Sequence, residues 1–78
     1  MPTVFTEDGY RFKIYPNDHT PAHVHVRKAE NVARVSLESI EVLSSEGFSN
    51  RELKRIMEIV EERQAELLEM WDTFHESR

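Results

Sequence analysis

Asp8-Gly9-Tyr10-Arg11-Phe12-Lys13-Ile14-Tyr15 is the stretch that decides the fold of the first half of this chain. Asp-Gly beside an alternating run is a strong hairpin signal, since both residues accept the left-handed backbone of a two-residue turn. Tyr10 to Tyr15 then alternates apolar and basic at period two, as a half-buried strand does. Working outward, Thr3–Phe5 reads as the preceding strand, joined through Glu7-Asp8-Gly9. Pro16 to Ala22 is a polar loop bracketed by two prolines. His23-Val24-His25-Val26-Arg27 alternates again, Ala29-Glu30-Asn31 turns the chain, and Val32 to Leu37 is a fourth strand. Ser39 to Leu43 is a shorter apolar stretch, a fifth strand or an irregular segment.

The second half reads as helix. Ser49 stands as N-cap with Glu52 three residues on, a capping box, and Phe48 with Leu53 forms a hydrophobic staple. No Gly or Pro follows before about His75. Leu53, Ile56, Met57, Val60, Leu67, Leu68, Trp71 and Phe74 share one stripe at 100° per residue, with Gln64 the one polar residue in it. The expected fold is therefore α+β: a four- or five-stranded, mostly antiparallel sheet with one long C-terminal helix over 49–76 packed on one face. One domain over 1–78 is expected, its β-rich half at 1–43. A helix of that length spans roughly 37 Å, whereas a short strand covers only about 17–20 Å. Trp71 and Phe74 are thus expected to overhang the sheet and to form a partner interface, in a homo-oligomer or a heteromer.

Of the 78 residues 38% are hydrophobic and 32% charged, the net charge is −5, and there is no cysteine. That composition is globular, not disordered. It excludes disulfide scaffolds, thiolate metal sites and cysteine nucleophiles. No apolar run is long enough for a membrane helix or a signal-peptide core, so no membrane partner and a cytoplasmic location are expected. The charge is uneven. Residues 1–37 carry five basic side chains (Arg11, Lys13, Arg27, Lys28, Arg34) against four acidic ones, while residues 38–78 carry five against eleven. Arg51, Lys54 and Arg55 lie near the positive end of the helix and Glu69, Asp72 and Glu76 near its negative end, which opposes the helix dipole.

Strand parity collects the basic residues on one surface. His23, His25 and Arg27 point the same way along their strand, opposite Val24 and Val26. Arg11, Lys13 and Tyr15 turn to that side if Phe12 and Ile14 face the core, and Arg34 joins them from the fourth strand. Three readings of this face compete. His23 and His25 could bind a divalent metal with His19 folding back from the loop and Asp18 as ligand or support. The cluster of cations opposes that. Alternatively His23, His25 and Arg27, with His19 as a weaker member, are catalytic on RNA, the imidazoles moving protons while Arg11, Lys13, Tyr15 and Arg34 bind. In the third reading the face is structural cover or a docking surface for an acidic partner. His75, near the helix C-terminus, complements the dipole. No cofactor is required by any residue pattern.

The string Asp18-His19-x-Pro21-x-His23-Val24-His25-Val26 resembles the acidic-His-x-Pro-x-His-Ile/Val-His-Val signature of the small bacterial DUF4160 family, a domain of unknown function. Met1-Pro2-Thr3-Val4-Phe5 and Asp8-Gly9-Tyr10-Arg11-Phe12 resemble its opening hairpin, and Gly47-Phe48-Ser49 with Glu52-Leu53, Ile56, Val60, Leu67 and Trp71 its terminal helix. The chain departs from the pattern at Ala22, where a second proline is frequent, and at Arg63, where Asn or His is common. The resemblance implies a β-rich domain with a C-terminal helix. It also implies a gene paired with a small DUF2442-type partner protein, similar to a type II toxin–antitoxin module in which this chain is the toxin-like member. The resulting expectation is a toxin-like component acting on RNA or translation through the His/Arg face. The alternatives are a non-enzymatic protein-binding or oligomerising module and a metal-binding accessory protein.

Overall fold

A computed structural model describes residues 3–15 and 19–75, with side chains from Phe5 onward. Pro16, Asn17 and Asp18 of the expected loop, Met1-Pro2 and Glu76 lie outside the described residues. Five strands follow one another as an antiparallel meander: β1 (Thr3–Glu7), β2 (Tyr10–Lys13), β3 (His23–Lys28), β4 (Asn31–Ser36) and β5 (Val42–Glu46). Two helices close the fold, α1 (Asn50–Glu62) and α2 (Gln64–His75). Glu7 pairs with Tyr10 across Asp8 (φ 55°) and Gly9 (φ 83°), so the hairpin forms where the Asp-Gly pair predicts it.

Alternation sets the two faces of the sheet. Phe12 pairs with Val26, Val26 with Ala33, and Val24 with Val35. All are buried together with Ile14 and Leu37 against Ile56, Ile59, Val60 and Leu67 of the helices. Apart from Ala33, each such side chain contributes about 1.5–3 kcal/mol relative to exposure. Phe5 stacks on Phe12 with ring centres 4.5 Å apart. Ile59, fully buried, falls outside the stripe read from the sequence.

The fifth strand lies later than Ser39–Leu43, and the β-rich part runs to Glu46 instead of 43. The reason is a tight turn. Ile40 takes φ 53°, its N–H donates to the Ser36 carbonyl at 3.0 Å, and the Ser36 N–H donates to the Glu41 carbonyl at 2.7 Å. Left-handed backbone at Ile40 stops a strand there. Pairing resumes at Val35–Val42 and continues at Arg34–Ser44, leaving Leu43 in a bulge. Gly47 (φ 96°) then sits so close to the Asn31 side chain that a Cβ would overlap its Oδ1.

The single long helix is corrected to two. α1 begins as expected: Ser49 Oγ accepts the Glu52 N–H at 3.1 Å, and the Ser49 N–H donates to Glu52 Oε1 at 3.0 Å. It ends at Arg63, whose backbone (φ −110°, ψ 18°) leaves the helical region. Arg63 lies on the same side of the helix as Ile56 and Ile59, where a guanidinium needs partners. Its Nε donates to Glu7 Oε1 at 3.1 Å, and its planar head lies 4.1 Å over the Phe5 ring. Next to it, Gln64 Nε2 donates to the Leu37 carbonyl at 2.7 Å, tying the start of α2 to the end of β4. The redirected α2 carries Trp71 onto the end of the sheet. Trp71 is only 6% exposed and Phe74 is half-buried against the core, so the expected bare overhang is absent. Arg55, ill placed for the helix dipole, is held by Asp8 at 2.6 Å and Glu7 at 3.7 Å. Among the described residues, no helix is long and apolar enough to cross a membrane.

Candidate functional site

The face of the sheet away from the helices carries two transverse rows of cations. Arg11 pairs with Arg27, and Arg27 with Val32. One step along, Lys13 pairs with His25, His25 with Arg34, and Arg34 with Ser44. Side chains at paired positions stand about 4.5–5.5 Å apart at Cβ, so Arg11 and Arg27 are direct like-charged neighbours, and Lys13 and Arg34 flank one imidazole. Arg34 is steadied by its Nε–H, which donates to Ser44 Oγ at 3.0 Å. The ring of Tyr15 meets that of His25 edge-on, 4.7 Å between centres. Together these side chains line a groove of about 310 Å³. Among the described residues, no carboxylate lies within ion-pair distance of Arg11, Lys13, Arg27 or Arg34. The ion pairs among the described residues involve Arg55 and Arg63 on the helix side instead.

His23 departs from the expected outward position. It is 5% exposed, because Trp71 packs over the end of the sheet with its ring 5.4 Å from the imidazole. His23 Nδ1–H donates to the Pro21 carbonyl at 2.8 Å. This fixes the tautomer, and a neutral ring then carries its lone pair on Nε2. His25 lies 5.0 Å from His23, ring to ring. A continuous series of rings thus runs from Tyr15 through His25, His23 and Trp71 to His75, which stacks on Trp71 at 3.9 Å. His75 Nδ1–H donates to the Trp71 carbonyl at 2.8 Å.

His19 is exposed and shares a second groove with His23, Pro21 and Arg34. Among the described residues, no group of three or more His, Asp or Glu side chains is arranged to hold a metal ion, so His19 does not complete a triad with His23 and His25. Asp18, the other named ligand, lies outside the described residues. The structure therefore brings Arg11, Lys13, Tyr15, His25, Arg27 and Arg34 together, and places His23 next to His25 at the end of the strand, under Trp71, with His19 in the adjoining groove. Ser44 was missed in the sequence, because the bulge at Leu43 shifts the parity of a strand with little apolar alternation.

Fold and site define a small α+β meander with a cationic, ring-bearing outer face and a helical layer behind it. The chain belongs to the DUF4160 family, a domain of unknown function whose model matches residues 9–72. No curated protein and no solved structure matches it.

Proposed function

We propose that this protein is the toxin-like component of a two-gene module and acts on RNA through the cationic sheet face. The observation that carries the reading is the convergence of Arg11, Lys13, Arg27 and Arg34 on one groove around His25 and Tyr15. Phosphates are the anions that arginine and lysine bind best in such an arrangement. Flat rings at its centre suit an unstacked base, which is how single-stranded RNA is commonly held. An imidazole beside two cations is suited to move the proton of a 2′-hydroxyl while the cations balance developing charge on the phosphate. The family resemblance supports control by a DUF2442-type partner in the cytoplasm.

Binding without cleavage is the second reading, favoured by the burial of His23, which leaves one imidazole of the pair in the groove. The test compares wild type, Arg27→Gln and His25→Ala for growth on expression, binding and integrity of single-stranded RNA, and melting temperature. The expected result is growth inhibition and RNA binding by wild type, with Arg27→Gln folded but weakened in both. Cut RNA in the wild-type reaction, absent with His25→Ala, selects catalysis; intact RNA selects binding alone. A folded wild type that binds no RNA, or an Arg27→Gln variant as inhibitory as wild type, overturns the proposal.

A further inference from the structure

The central groove does not end where its lining ends. Arg11 and Arg27 also line a smaller concavity of about 180 Å³ with Lys28, Gly9 and Ala29, at the turn end of the sheet. At the opposite end Arg34 is shared with a groove of about 450 Å³ that contains His19, Pro21 and His23. The three depressions therefore form one path along β3, from Lys28 to His23. Five strand steps at about 3.3 Å each make that path about 17 Å long. The central groove is lined from β2 across to β5, so its cations flank β3 on both sides.

We infer that the ligand of this face is a single strand of RNA lying along β3, about four nucleotides long, and neither a mononucleotide nor a duplex. The inference rests on the RNA reading of the central groove and specifies its substrate class. Cations recur along the path: Arg11 and Arg27 at the turn end, where the Lys28 ammonium is held over the Tyr10 ring at 4.9 Å, then Lys13 and Arg34 beside His25. That is a series of phosphate positions, not one pocket. His25 offers a ring in the second of these rows and Tyr15 one just past it, and a path of this length matches the low end of single-strand site sizes. A duplex keeps its bases stacked and paired, so it offers none to the rings of Tyr15 and His25.

The path ends against His23, which touches Trp71, the only tryptophan in the chain. Trp71 emission therefore reports occupancy of that end. The experiment titrates the intact protein with oligouridylates of one to eight nucleotides and with an RNA duplex, at low salt, following both affinity and Trp71 emission. Affinity is expected to rise with length up to about four nucleotides, by about fivefold for each of the two bases that stack, and then to level off. The emission change is expected with four nucleotides and not with one. Arg11→Gln is expected to weaken the four-nucleotide ligand and to remove one step of the length dependence. If uridine monophosphate binds as tightly as the tetramer, or the duplex more tightly than the single strand, the single-strand path is wrong while the groove remains an RNA site. If none of these ligands binds, the RNA reading itself falls.

Discussion

Arg27 illustrates at the scale of one residue how this surface differs from the rest of the molecule. It stands directly opposite Arg11, and like charges so placed oppose pairing of their strands. Arg55 and Arg63, in contrast, each meet a carboxylate. A cation held against a cation suggests service to an anion outside the chain. Arg27→Gln is accordingly expected to raise thermal stability slightly, by a few tenths of a kcal/mol, while weakening RNA binding. A melting curve and a binding isotherm on the same sample check both signs, and a clear loss of stability contradicts the account. Tyr10 gives a second expectation. Burial, then the charges of Glu52 and Asp8, push its phenol above the ordinary value of 10.0. The folded state thus holds this proton more tightly than the unfolded chain. The associated stability is present below about pH 10 and is lost as pH rises through the folded value. In a Tyr15→Phe variant, tyrosinate absorbance is expected to appear above the pH at which it appears in the unfolded protein.

The elements were unequally legible, and the reasons are local. Asp8-Gly9 and the alternation of β2 and β3 announce themselves because turn chemistry and burial act on adjacent residues. The same holds at Ser49, where two reciprocal hydrogen bonds close the first turn of α1. Ser49→Ala is expected to cost about 0.5–2 kcal/mol, read by denaturant unfolding; a change within error contradicts the cap. The break at Arg63 carried no Gly or Pro to mark it. It depends on partners distant in sequence, Glu7 and the Leu37 carbonyl, and the only trace was Gln64 interrupting an apolar stripe. The burial of His23 follows from that break, since α2 brings Trp71 to the sheet end. Parity placed Arg11, Lys13, Tyr15, His25, Arg27 and Arg34 on one face. It could not foresee that a ring from the far end of the chain would cover His23, nor that a bulge would bring Ser44 beside Arg34.

At the scale of the molecule the two layers have opposite sign. The outer sheet face carries Arg11, Lys13, Arg27 and Arg34, and the helical layer exposes Glu58, Glu61, Glu62, Glu66 and Glu69. A net charge of −5 therefore conceals a dipolar surface, which orients a polyanion toward the sheet and away from the helices. Binding through phosphates leaves a thermodynamic signature, because each neutralised phosphate releases counterions and steepens the dependence on salt. The most direct test measures the affinity of single-stranded RNA against salt concentration for wild type and for Arg11→Gln/Arg27→Gln. The account predicts that the double variant remains folded and that its log–log slope is shallower by about 1.4, two phosphate contacts at about 0.7 each for single strands. An unchanged slope in the folded double variant, or wild-type binding indifferent to salt, contradicts it.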